Sequence, residues 1–180
     1  MKKLVCIIFA ALFPVFSFAL AKVSLPVISA ENASGLKVVI PDPRIYSPCL
    51  YIYTFSKPKE GLTETYIKAY RDIFGQDSLY YQIAVFGPVP LFEGFIKDAI
   101  KNNTKPENRS SMILYFGNKQ ILMQHLQENI NDSLQWYIVA ENGEIVKSRS
   151  TGGQFESSDA DFKEMKEAYK IISEVKNGKR

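Results

Sequence analysis

The 180-residue sequence predicts an α/β domain: a central mixed β-sheet flanked by helices. Three observations carry that expectation. The run "CLYIYTF", Cys49 to Phe55, combines β-branched and aromatic residues with no polar alternation, so it suits a strand covered on both faces. Strand-like and helix-periodic segments then alternate, as in β-α-β units. Near the end, two strand-like runs flank "ENGE", where Asn142-Gly143 is favoured hairpin chemistry and makes its neighbours antiparallel.

Each element follows from local chemistry. Residues 22–35 mix apolar residues with Ser, Asn and Pro and predict a flexible lead or a short added strand. "LKVVIPDP", Leu36 to Pro43, is β-favouring until its two prolines stop it. After Cys49 to Phe55, "SKPKEG" turns the chain. A helix follows, with Thr63 as its cap, Leu62 stapled against Ile67, and an apolar face of Tyr66, Ile67, Tyr70, Ile73 and Phe74 that ends at Gly75. Ser78 to Phe86 returns to strand composition and stops at Gly87-Pro88. Leu91, Phe92, Phe95, Ile96, Ala99 and Ile100 recur at helical spacing, so Pro90 opens a second helix that ends near Asn102. Ser110 to Gly117 is a short strand, and Lys119 to Asn129 a short helix carrying Ile121, Leu122, Met123 and Leu126. The hairpin pairs Leu134 to Ala140 with Ile145 to Ser148, and "TGG" turns towards a last helix capped near Ser158. Its apolar stripe is Phe162, Met165, Tyr169, Ile172 and Val175.

Lys2 and Lys3, the apolar run Leu4 to Leu20 and the small-residue exit Ala19-Leu20-Ala21 predict a signal peptide over residues 1–21, cleaved after Ala21. A retained anchor is the alternative, because the run approaches the roughly 17 to 25 residues that span a bilayer. No cysteine stands at the cleavage site, which argues against a lipoprotein. The expected product is exported, to the periplasm in a Gram-negative host and to a secretory lumen or medium elsewhere. Residues 22–35 lead into a single domain over 36–176, with a tail at 177–180. The formal charge is +3, and two of its positive charges, Lys2 and Lys3, leave with the signal. So balanced a mature chain lacks the electrostatic footprint of a nucleic-acid binder.

Of two cysteines, Cys6 lies in the signal, leaving Cys49 alone and excluding an intramolecular disulfide in the mature monomer. An unpaired cysteine in an oxidising compartment can bridge to another chain, react transiently or stay inert through burial, and burial is the commonest fate. His125, the single histidine, has no nucleophile at a recognised spacing. Glu141, Glu144, Asp159 and Asp161 do not match an EF-hand, no Cys/His cluster suits zinc, and Gly87 and Gly94 lack the pattern that cradles phosphate, so no cofactor or metal is expected. Lys97, Lys101, Lys105 and Arg109 form a basic stretch that reads as a solvated connector before it reads as an anion site. Four glycosylation sequons begin at Asn32, Asn102, Asn108 and Asn131. The many tyrosines and phenylalanines suit sheet coverage, and an exposed group of them would suit a protein or peptide partner.

"CLYIYTFSKPKEG" followed by a helix, together with "DSLQWYIVAENGEIVKSRSTGG" followed by the last helix, resembles the thioredoxin-like or redoxin superfamily across residues 36 to 176. The resemblance implies a thioredoxin-like fold. It also implies an attacking cysteine just after the first central strand, a place held here by Ser56-Lys57-Pro58-Lys59-Glu60, and a cis-proline before the strand "LQWYIVA", held here by Asn131-Asp132-Ser133. Cys49 instead opens the strand, and seven extended residues separate its ends by about 20 Å. The expected function is therefore a nonenzymatic binding or assembly role, with a single-cysteine thiol redox enzyme using Cys49 as catalytic residue the alternative. Intact mass measurement of the exported protein is expected to show a chain that begins at Lys22.

Overall fold

Strand β3, Cys49–Thr54, is the axis of the molecule. Every residue of it up to Tyr53 is buried, as its uniformly apolar composition requires. It pairs in parallel with β4, Leu79–Val85, on one side and antiparallel with β6, Leu134–Val139, on the other. The computed structural model describes residues 24–45, 47–57, 60–126, 134–151 and 159–177, without the side chains of 150, 151 and 159–161. Around β3 the described strands form one seven-stranded sheet, completed by β1 Ile28–Asn32, β2 Lys37–Ile40, β5 Met112–Tyr115 and β7 Ile145–Thr151, in the order β2-β1-β5-β4-β3-β6-β7. The parallel trio β3, β4 and β5 is joined by α1, Leu62–Phe74, and α2, Glu93–Asn103. Helix α3, Lys119–His125, precedes β6, and α4, Asp159–Lys176, follows the hairpin.

Alternation along the strands sends side chains to two cores. One face joins Leu50, Ile52, Leu134, Trp136 and Ile138 to Tyr66 and Tyr70 of α1 and to Met165 and Ala168 of α4. The other joins Cys49, Tyr51, Tyr53, Ile83 and Tyr137 to Leu122 and Met123 of α3, to Ile28 of β1 and Ile40 of β2, and to Leu25 ahead of them. Within 22–35, then, the chain contributes β1, which also pairs antiparallel with β5 through Glu31 and Asn32. Asn32 is buried, and its Oδ1 accepts from the amides of Ser34 and Leu36 at 3.0 Å each, which closes the turn into β2. Tyr70 Oη donates to the Pro48 carbonyl at 2.9 Å and so fixes α1 against the start of β3.

The structure shifts several predicted boundaries. Helix α1 begins at Leu62, with its cap two residues ahead of the expected Thr63, because Gly61 takes φ +77°, a backbone that favours glycine, and holds the cap position with no side-chain bond. Helix α2 begins at Glu93 rather than Pro90, which lies in a turn ahead of it. In α4 the buried stripe runs through Met165, Ala168 and Ile172. Tyr169 stands half out of the core with its ring edge-on to Phe74 at 5.2 Å, and Val175 is exposed. Strand β7 runs on to Thr151, past the predicted stop at Ser148, because it keeps a partner in β6 as far as Leu134. Gly143, at φ +80°, and the Asn142 side chain, which accepts from the Glu144 amide at 3.1 Å, make the hairpin turn as predicted. The signal segment, Pro58-Lys59, Asn131-Asp132-Ser133, Gly152-Gly153 and Ser158 lie outside the described residues.

Ile52 is wholly buried at the middle of β3, so Ile52→Ala is expected to lower unfolding free energy by about 2–5 kcal/mol, the usual range for such a truncation. Val39→Ala, at a half-exposed position on edge strand β2, is expected to cost well under that, and chemical denaturation of the two variants checks the contrast.

Candidate functional site

The two ends of β3 offer two different chemistries. At the start lies Cys49, 1% exposed, among Tyr51, Val139 and residues of the amino-terminal strands. Burial pushes its thiol up from its ordinary value to about 12, with a hydrogen bond from Tyr51 working in the opposite direction. Its Sγ also lies 3.8 Å from the Leu50 carbonyl, a weak contact. A thiol so placed is protonated at neutral pH, and the thiolate is the nucleophile. Arg44 is engaged elsewhere: its guanidinium and amide bond Asp42 at 2.8 to 2.9 Å, and that pairing holds the Asp42 carboxyl below its usual value.

At the other end, β3 passes into Phe55, buried, and then Ser56 and Lys57, both exposed, before Gly61 opens α1. This is where the resemblance places a reactive cysteine, and the sequence has none. Two bonds brace the turn. Thr54 Oγ1 donates to the Ile83 carbonyl at 3.3 Å, and Lys119 Nζ, at the start of α3, donates to the Phe55 carbonyl at 2.6 Å. Beside the turn, a groove of about 450 Å³ runs between the sheet and α2, bounded by Phe55, Lys57 and Thr63 at one end and by Ile96, Ile100 and Met112 along its length. Sequence periodicity places the apolar stripe of α2 in the core. In the structure no residue of α2 is fully buried, and Phe92 and Phe95 are 63% and 76% exposed. Lys97 Nζ, near the middle of the helix, pairs with Glu31 of β1 and Glu93, both at 2.8 Å, and past the carboxyl end Arg109 Nε donates to the Lys101 and Thr104 carbonyls at 3.1 Å, so polar contacts fasten a helix whose apolar stripe is left short of the core.

A third feature is internal. Tyr53 and Gln135 are direct partners across β3 and β6, both wholly buried, and Gln135 Oε1 accepts from Tyr137 Oη at 3.0 Å. Among the described residues the Tyr53 hydroxyl and the Gln135 amide nitrogen have no hydrogen-bond partner. Burial raises the Tyr53 phenol far above its usual range, so it stays neutral.

The remaining candidates disperse. His125 is exposed on α3 with Nδ1 2.7 Å from the Ile121 carbonyl, and it lines a surface depression together with Ser24, Tyr137, Ser148 and Arg149. Glu141 pairs with Lys176, and Glu144 accepts from Asn142. Asp159 and Asp161 side chains lie outside the described residues. Among the described residues no three His, Cys, Asp or Glu side chains come together. Of the basic stretch, Lys97 and Arg109 are bound internally, while Lys101 and Lys105 are exposed. The sequon asparagine Asn32 is buried and bonded within its turn, whereas Asn102 and Asn108 are exposed; Asn131 is outside the described residues.

A β-α-β unit and a β-hairpin with its helix, joined at the central strand and extended by α2, β5 and α3, define a thioredoxin-like fold. No family model and no curated protein matches the sequence. Solved structures share the fold. BsSco, a member of the Sco family of cytochrome c oxidase assembly proteins, is 12% identical with a TM-score of 0.52, over 84% of this chain and 96% of its own. The exposed lipoprotein thioredoxin Etrx1 of Streptococcus pneumoniae is 11% identical at 0.51, over 81% and 99%. A yeast mitochondrial 1-Cys peroxiredoxin is 12% identical at 0.52, over 86% and 75%. Identities this low establish the shared fold alone.

A thiol whose folded value lies above its unfolded one, near 8.5, stabilises the fold below that value and withdraws the stabilisation as pH rises towards about 12. Stability is therefore expected to fall between about pH 8.5 and 12, less steeply in Cys49→Ala, in denaturant titrations across that range. In the native protein at pH 8, Cys49 is expected to resist a thiol reagent that labels it once the chain is unfolded.

Proposed function

We propose that this is an exported thioredoxin-like protein with a binding or assembly role in place of dithiol exchange. The observation that carries the reading is the displacement of the chemistry. The turn after β3, where a redoxin's thiol would stand, holds no cysteine, and the mature chain's only thiol is buried at the opposite end of the strand. An apolar groove adjoins the turn instead, lined in part by exposed Phe95, aromatic surface of the kind that partner proteins and peptides recognise. The assembly role borne by the Sco family, as BsSco is described, agrees with a redoxin scaffold serving another protein. Export rests on the signal-like residues 1–21. Among the described residues no helix is long and apolar enough to cross a membrane.

The alternative, a single-cysteine thiol redox enzyme, requires an accessible Cys49 with a lowered pKa, and both burial and the upward shift oppose it. The two readings separate in one set of assays. The mature protein is expected to show neither insulin-disulfide reduction nor peroxide consumption above buffer, with Cys49→Ala indistinguishable from wild type. A photo-crosslinking residue at Phe95, introduced in the native host, is expected to trap a discrete partner that the same residue at exposed Lys68, on α1, does not. Thiol turnover abolished by Cys49→Ala would establish the redox reading.

A further inference from the structure

Crossover helices in parallel sheets normally lay their apolar face directly on the strands they connect. Helix α2 carries such a face yet leaves space beneath it, so Ile96 and Ile100 of the helix and Ala84 and Met112 of the sheet face one another across an open groove of about 450 Å³. That volume falls among small-ligand sites. The lining is apolar along its length and changes character at the end near β3. Lys57 stands there, exposed and outside every ion pair among the described residues. The first turn of α1 begins there too, and no side chain caps it, so the positive end of the helix is open. Thr63, 7% exposed, lines the same end, and its hydroxyl has no hydrogen-bond partner among the described residues. Gln82 contributes a half-buried amide to the floor, also without a side-chain partner. Glu60 and Glu64 are exposed nearby but do not line the groove.

We infer that the groove binds a monocarboxylate with an elongated apolar body, its carboxylate at Lys57, Thr63 and the α1 amino terminus and its body beneath α2. Charge complementarity selects the head group: the polar groups at that end are a cation, a hydroxyl donor and unpaired helix amides, all suited to an anion. The apolar walls select the tail, whose burial removes Ile96, Ile100 and Met112 from water. This inference rests on the binding reading above and names a ligand for the groove at the heart of it.

Decanoate is the probe, titrated by calorimetry into the mature protein, with decyltrimethylammonium as a ligand of the same tail and opposite head. Saturable single-site binding of decanoate is expected, with the cation weaker by at least about tenfold, roughly 1.4 kcal/mol. Lys57→Glu, at an exposed position that leaves folding intact, is expected to weaken decanoate about tenfold. Ala99→Trp, which fills the groove from its helical wall, is expected to abolish binding while circular dichroism stays that of wild type. No saturable binding below about 1 mM, equal affinity for the two head groups, or indifference to Lys57→Glu would overturn the inference. The two readings fail separately, since a negative titration leaves the Phe95 crosslink as it stands, and thiol turnover would end the binding role without changing the calorimetry.

Discussion

Everything in this fold is referred to β3, a strand with no face to water and no free edge. Its residues pair with β4 along one side and with β6 along the other, while Leu50 and Ile52 enter one core and Tyr51 and Tyr53 the other. Burying an aliphatic side chain fully contributes about 1.5–3 kcal/mol, so the rows on each face of β3 outweigh any surface ion pair in the molecule. The register also fixes which residues share a face. Because side chains alternate strictly, a slip of one residue would send the tyrosines into the α1 and α4 core and the aliphatics beneath α3.

That constraint decides the chemistry at each end of the strand. Cys49 is the first residue of β3, and both neighbouring strands extend to its level, pairing it with Leu79 and Val139. A cysteine so enclosed behaves as a small apolar residue, and its high pKa is the electrostatic expression of the same packing. At the far end, β3 leaves the sheet at Phe55, and the uncapped start of α1 and the groove beneath α2 lie at that same end. Tyr53 and Gln135 show the cost of such enclosure. They face each other across the central pair with polar atoms unpaired, which elsewhere in the core happens only at Trp136 Nε1 and Arg71 Nε among the described side chains.

Much of this was legible in the sequence, for reasons particular to each element. The absence of polar alternation in "CLYIYTF" required two covered faces, Asn142-Gly143 required a hairpin, and Gly75 ended α1 where the apolar period ended. Less legible were matters of competition between neighbours. Thr63 is a better cap than Gly61 by side chain alone, yet the backbone conformation at Gly61 lets the helix start earlier. Tyr169 and Ala168 are adjacent on α4, and the smaller residue took the close approach to the sheet while the larger leaned on Phe74. The groove was hidden for a related reason: an apolar stripe at helical spacing reads identically whether it touches a sheet or stands off from it.

The sequence by itself determined the class of fold, the order of most elements and the lack of a thiol in the turn after β3, since these depend on residue type and on spacing along the chain. Only the tertiary structure decided that Cys49 is sealed, that β1 and β2 extend the sheet past β5, and that α2 is held by Lys97 and Arg109 with an open groove beneath it. Those outcomes depend on distances between residues far apart in the chain, where burial and a few polar ties set how closely two surfaces meet.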